Sequence, residues 1–279
     1  MSIRVKPIRN LLLPRAEDGR VSLAGHDPDA TPGVKSEHAA LKEAPELAAR
    51  LFGLQERLHA ESRRSLLVVL QAMDTGGKDG TISHVIGQLN PLSVRIACFK
   101  APTPEELRHH FLWRCRRQLP GPSEVGIFNR SHYEDVLVAR VKGLTPPAEV
   151  ERRYAQINRF EEELVRHGTA VVKLFLHISN QEQRKRLVER LREPDKRWKF
   201  AESDIRDRVY WDDFQSAYDL VLTRCASARA PWYVVPANHK WYRNWAISRI
   251  LIETLEGMAP RYPQPRLDVH RLLKRLEAE

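Results

Sequence analysis

Five short apolar segments, each but the last followed by a helical pattern before the next begins, constrain this chain more than any other feature. They read "SLLVVLQ" (65–71), "SVRIACF" (93–99), "EVGIFN" (124–129), "AVVKLFLHI" (170–178) and "PWYVVP" (231–236). Runs this short, rich in β-branched residues and apolar on both alternating faces, suit strands buried on both sides. Strands alternating with helices predict an α/β fold: a parallel sheet with helices on both faces. Between them, Pro104 with Thr103 as cap predicts a helix over the "APTPEELRHHFLWRCRRQL" segment. Pro147 and Gly168 bracket another, Ser179 to Glu182 forms a capping box for the next, and helices are expected near 203–228 and 239–257. Residues 1 to about 33 show little periodicity and are expected as an extended arm. Leu47, Leu51, Leu54 and Leu58 then mark an amphipathic helix, one or two according to whether Pro45 breaks it. The division expected is an arm and helix over 1–60, one domain over 61–260 and a tail helix within 261–279.

The first strand runs into "QAMDTGGKDGT", the layout of a phosphate-binding loop. In parallel α/β sheets ligands bind at the carboxyl ends of strands, where this loop lies. Gly76 and Gly77 allow the backbone to turn its N–H groups toward an anion, with Thr75, Asp79 and Gly80 completing the loop, and Lys78 adds a full charge. The loop departs twice from G-x-x-x-x-G-K-[ST]: Ala72 stands for the first glycine and Asp79 for the hydroxyl residue. Carboxylates beside phosphates require a cation, so Asp74 is expected to take over the metal-holding duty of the missing hydroxyl. The alternative is a plain tight turn.

Asn129 ends the third strand, where a metal ligand is expected; it brings no charge, which Glu134 can restore, and Arg130 can clamp a phosphate. A capped strand end is the competing reading. The run "QRKRLVERLREPDKRWKF" carries eight basic residues, among them Arg186, Arg190, Lys196, Arg197 and Lys199. It is either a solvated helix face or a lid (about 180–203) that closes over phosphates. His109, His110 and His132 lack metal-ligand spacing and are expected at the surface or as caps, and Asn238, His239 and Lys240 at the edge of the site.

Lys and Arg total 46 against 36 Asp and Glu, a formal charge of +10 that favours a polyanionic partner. No stretch approaches the roughly 18 apolar residues of a membrane span. The three-leucine stretch near the N-terminus is too short for a signal peptide, and the scattered Cys98, Cys115 and Cys225 fit a reducing compartment. The expectation is cytoplasmic, with no membrane and no nucleic acid as partner, since no helix-turn-helix or stacking motif appears.

Taken together, "QAMDTGGKDGTISHV", "FKAPTPEELRHHFLWR", "GIFNRSHYEDVLVARV", "DKRWKF" and "APWYVVPANHKW" resemble the polyphosphate kinase type 2 family over most of residues 60–257. The resemblance implies a P-loop kinase-like three-layer sandwich, with a five-stranded parallel sheet and a helical lid. It implies Mg²⁺-dependent (or Mn²⁺-dependent) phosphoryl transfer between inorganic polyphosphate and nucleotides, forming ADP and ATP from AMP and ADP, with guanine nucleotides as further acceptors. By motif position Asp74 and Lys78 inherit the catalytic loop roles and Arg130 a phosphate contact. Arg186, Arg190, Lys196, Arg197 and Lys199 inherit lid contacts, and Lys100 and Arg114 the path of the polyanion. Asp74, Asn129 and Glu134 are the metal candidates, and a dimer or tetramer is expected. The rival readings are an ATP-dependent nucleoside or nucleotide kinase and a basic nucleic-acid-binding protein.

Overall fold

A computed structural model describes residues 6–264 and 267–278. In chain order the elements are α1 (Ile8–Leu11), β1 (Ala16–Glu17), β2 (Arg20–Val21), α2 (Glu37–Glu61), β3 (Ser65–Ala72), α3 (Lys78–His84), β4 (Val94–Cys98), α4 (Trp113–Arg116) and β5 (Val125–Asn129). They continue with α5 (Val138–Val141), α6 (Pro147–Arg166), β6 (Thr169–His177), α7 (Asn180–Arg192), α8 (Glu202–Arg206), α9 (Trp211–Arg224), β7 (Trp232–Pro236), α10 (Lys240–Met258) and α11 (Val269–Glu277).

The five expected strands form one parallel sheet in the order β4-β5-β3-β6-β7. All eight residues of β3 are buried, which requires a helical layer on each face. Helices α2, α3 and α10 pack together, and α5, α6 and α9 form the second group. The chain leaving β3 runs out to β4, whereas that leaving β6 runs the other way to β7. Diverging connections from neighbouring strands open a crevice at their carboxyl ends. The loop 73–80 fills it.

Several local expectations change or are settled. Residues 6–33 are not an extended arm. Ile8, Leu12, Val21 and Leu23 are buried, and Glu253 accepts hydrogen bonds from the Ile8 and Arg9 amides at 2.9 and 3.1 Å. The Val234 amide donates to Leu12 carbonyl at 2.9 Å, so this segment covers the β7 edge of the sheet. Pro45 does not divide α2, because Leu47, Leu51, Leu54 and Leu58 hold it against α10 as one helix.

The predicted helix of residues 101–119 shrinks to α4 and one 3-10 turn, Glu106–Arg108. Its cap forms: the Thr103 amide donates to Glu106 at 2.8 Å and the Glu106 amide to Thr103 Oγ1 at 3.2 Å. Residues 101–110 bury no apolar face, however, and start signals without burial do not sustain a helix. The expected helix over 203–228 is likewise split into α8 and α9 by a 3-10 turn at Asp207–Tyr210. Of the Ser179–Glu182 box only one half forms, the Glu182 amide donating to Ser179 Oγ at 3.1 Å; the Ser179 amide goes to Asn238 Oδ1 at 3.0 Å. Among the described residues no helix is long and apolar enough to cross a membrane.

Candidate active site

The loop after β3 owes its shape to close approaches that only glycine permits. A Cβ on Gly76 would lie 2.5 Å from the Cβ of Ala72, so the residue replacing the usual first glycine is tolerated because Gly76 is bare. Gly77, at φ 103°, is a position where glycine is required twice, since a Cβ there would also overlap Arg243 Nη1. Thr75 takes φ 63°, unusual for a β-branched residue, and its Oγ1 is buried without a partner. Such strain persists only where the surroundings enforce it. Here Gln183 donates to the Asp74 carbonyl at 3.2 Å and Arg186 to the Thr75 carbonyl at 2.9 Å.

Lys78 opens α3 and lays Nζ 3.1 Å from the Ala72 carbonyl. Burial, reinforced by Arg130, pulls its pKa below the ordinary lysine value, while Asp74, Glu134 and Asp79 pull it back. Arg130 stands opposite at the end of β5, at φ 61°, with its amide bonded to Leu70 carbonyl at 3.1 Å. Its two terminal nitrogens serve different carboxylates: Nη2 meets Asp74 at 3.1 Å and Nη1 meets Glu134 at 3.8 Å. Burial raises the pKa of Glu134, opposed by Arg130 and Lys78. Asn129 donates from Nδ2 to Asp79 Oδ1 at 3.1 Å. Asp74, Lys78, Asn129, Arg130 and Glu134 therefore converge as expected, although far apart in sequence.

Two spaces meet at this cluster. A cleft of about 620 Å³ runs along loop residues 74–80 to Lys100, Asn129 and the basic segment Arg190, Lys196, Trp198 and Lys199. A smaller space of about 120 Å³ lies behind Asp74 and Arg130, against Leu137, Val138, Phe214 and Tyr218. Asp74, Arg130 and Asp204 border both. Burial of Asp204 pushes its pKa above the ordinary value.

The expected lid divides into two kinds of residue. Arg190, Lys196 and Lys199 face the cleft, on α7 and the 3-10 turn Pro194–Lys199. Arg197 instead donates to the Leu191 carbonyl at 2.8 Å, bracing that turn. Arg186 does not join the lid. It is buried, paired with Glu182 at 2.8 Å, and donates to the Ala237 and Asn238 carbonyls at 2.6 and 2.9 Å, tying the ends of the loop and β7 together. Arg114 also leaves the polyanion path: its buried guanidinium donates to the Lys100 carbonyl at 2.8 Å and meets Asp135 at 3.4 Å. His239 lies 3.6 Å from Asp29, at the margin.

Several residues that build the site were not among the expectations. Lys173, in the middle of β6, is fully buried and donates to Glu161 at 2.5 Å, Tyr133 at 3.1 Å and the Cys225 carbonyl at 2.6 Å. Tyr133 donates to Glu161 at 2.7 Å and His132 lies 3.3 Å from it. His132 is therefore a core residue, not a surface or capping one, and the network anchors the turn that presents Arg130 and Glu134. A lysine inside "AVVKLFLHI" was the available signal, because a buried lysine demands a carboxylate. Arg243, against Gly77 and Gly80, is the other omission; its signal was an arginine amid the aromatics of "KWYRNW".

Among the described residues no group of three or more His, Cys, Asp or Glu side chains forms a metal cage. Of the expected donors, Asp74 and Asn129 border the larger cleft together with Asp79, and these could hold a Mg²⁺-type ion, which takes one or two carboxylates and completes its shell with water and phosphate oxygens; Glu134 borders the smaller space instead, against Arg130.

A family model described as polyphosphate kinase 2 matches residues 34–263. An AMP/ADP-polyphosphate phosphotransferase of Meiothermus ruber is 53% identical over 249 residues, 89% of this chain and 93% of that one. An ADP-polyphosphate phosphotransferase of Rhodopseudomonas palustris is 41% identical over 227 residues, covering 77% of this chain and 78% of its own. The crystal structure of polyphosphate kinase 2 from Arthrobacter aurescens superimposes with a TM-score of 0.95 at 43% identity, covering 99% of this chain and 98% of that one.

Proposed function

The chain belongs to the polyphosphate kinase 2 family, and from that premise we propose that it moves phosphoryl groups between inorganic polyphosphate and nucleotides, converting AMP to ADP and ADP to ATP. The observation that carries this reading is the meeting of the two spaces at Asp74 and Arg130, above Lys78. A transferred phosphoryl group must sit where donor and acceptor approach in line, and the transition state asks mainly for position and positive charge.

In this reading Lys78 and the loop amides hold phosphates on both sides of the transferred group. Arg130, oriented by Asp74 and Glu134, contacts the equatorial oxygens. Lys100, Arg190, Lys196 and Lys199 line the approach of the polyanion along the larger cleft. Asp74 is the principal metal-holding residue, with Asn129 Oδ1 on the same cleft; Glu134, on the other arm of Arg130, acts by orienting that guanidinium. A bound Mg²⁺ would neutralise phosphate charge there. A homo-oligomer and a cytoplasmic location belong to the same proposal, and the exposed Leu273 and Leu276 of α11 give assembly an apolar face.

The test is product formation from purified protein, Mg²⁺ and long-chain polyphosphate, with AMP and ADP offered separately. ADP and then ATP from AMP is the expected result, and Asp74→Asn should abolish both. ATP from ADP alone would narrow the acceptor range. Absence of product from polyphosphate, with turnover from ATP, would replace this reading by an ATP-dependent kinase.

A further inference from the structure

Two guanidiniums are buried behind the phosphate loop, and only one has a counter-ion. Arg186 is 6% exposed and paired with Glu182. Arg243, in the first turn of α10, is 3% exposed, and among the described residues no carboxylate forms an ion pair with it. Its Nε and Nη2 donate to Asn244 Oδ1 at 3.1 and 2.8 Å, a neutral acceptor. The planar group lies against the bare faces of Gly77 and Gly80: its Nη1 occupies the place of a Gly77 Cβ, and Nη2 is 3.0 Å from where a Gly80 Cβ would be. Burial and neighbouring Arg186 push its pKa down to about 10, so it keeps its charge at neutral pH.

A buried, charged group without a counter-ion is destabilising, and replacing it with an apolar residue of similar shape is often neutral or stabilising. The position is therefore hard to explain by stability alone. We propose that Arg243 is a positioning residue for the phosphate loop, a positive charge held behind Gly77 and Gly80 whose counter-ion is the phosphate chain seated on the loop's other side. This deepens the reading of the loop as a phosphate site and rests on it. The glycines do double work in consequence. They turn the backbone toward the ligand, and they let a guanidinium approach from behind without reaching the ligand itself. Arg243 then acts through the loop rather than by touching the reacting atoms, and in a low-dielectric setting its field reaches the site weakly screened.

Arg243→Met keeps most of the side chain's volume and removes the charge; Arg243→Lys keeps the charge. Thermal unfolding with increasing sodium tripolyphosphate, at low ionic strength, reads both stability and affinity, because a ligand that binds the folded state raises Tm by an amount that grows with the logarithm of its concentration over Kd. The expected result has opposite signs in the two readouts. Arg243→Met melts at or above the wild type without ligand, yet binds tripolyphosphate about tenfold more weakly, ~1.4 kcal/mol. Arg243→Lys retains most of the affinity. In turnover the Met variant shows a raised KM for polyphosphate, larger than its change in kcat. A merely structural arginine would do the reverse, so a Met variant that is insoluble or melts well below wild type overturns the proposal. Unchanged tripolyphosphate affinity in that variant does so too. A wild-type protein that tripolyphosphate fails to stabilise would remove the phosphate reading itself, a result distinct from either.

Discussion

The floor and the lid of the cleft are both basic, but they hold their charges in opposite ways. On the floor, Lys78, Arg130, Arg186 and Arg243 are fixed by neighbours; Arg186 and Arg243 are buried, Lys78 and Arg130 half-buried. In the lid, Lys196 and Lys199 ride a single 3-10 turn, and Trp198 between them is 78% exposed. Arg190 is intermediate, at 3.8 Å from Asp204 and 3.5 Å from the Lys199 carbonyl. Arg186 and Arg190 make the contrast sharpest. They are one helical turn apart on α7, yet one braces loop and strand from inside while the other faces the cleft. A charge fixed before the substrate arrives costs no reorganisation during the reaction, so the floor is suited to the transition state. Charges on an exposed turn attract a polyanion and retain it, but are screened and entropically costly to fix.

The largest effect is expected at Lys78. Lys78→Met should lower kcat by about 10³-fold at saturating polyphosphate, the scale of losing a preorganised charge at a transition state. A variant that recovers wild-type kcat when polyphosphate is raised would show that the floor only binds. A pH profile sharpens the same point. Lys78 acts with its proton on, and its lowered pKa means that charge is lost at a lower pH than for an ordinary lysine. Glu134 acts as the carboxylate, and its raised pKa means it is neutralised at a higher pH than an ordinary glutamate. Both limbs of kcat/KM are therefore drawn toward neutrality. Glu134→Gln should remove the acid limb and Lys78→Arg should push the alkaline limb upward; limbs that stay in place in both variants would assign the titration to other groups.

The sequence made the floor legible where the chemistry is local. Strand, glycine pair and Lys78 follow one another in about a dozen residues, and the turn Asn129–Glu134 is equally compact. Arg243 was not legible, because its meaning depends on a contact across 166 residues with two glycines that have their own evident reason to be glycine. Arg114 and Arg186 were misplaced for a related cause. A basic residue on a helix is by prior expectation solvated, and it takes Asp135 and Glu182, with the carbonyls at Lys100, Thr75, Ala237 and Asn238, to turn these two inward. The shortened helix at 101–119 is the converse case: every local start signal is present, and the missing ingredient, a surface to bury against, is not a local property.

The lid should respond least and in a different currency. Lys196→Ala combined with Lys199→Ala removes two exposed charges without touching the floor, so kcat at saturating polyphosphate should stay within about twofold while KM rises several-fold. The difference should shrink as salt is added, since exposed charges more than about 8–10 Å from the chain are screened at physiological ionic strength. Arg243→Met supplies the control from the floor, because its buried charge is protected from that screening and its effect on KM should survive the same salt. Measuring KM for polyphosphate against ionic strength in the two variants therefore separates the regions without reference to any single rate. Parallel salt dependence would mean that the floor is wet, and a collapse of kcat in the lysine pair would move the lid into the reacting centre.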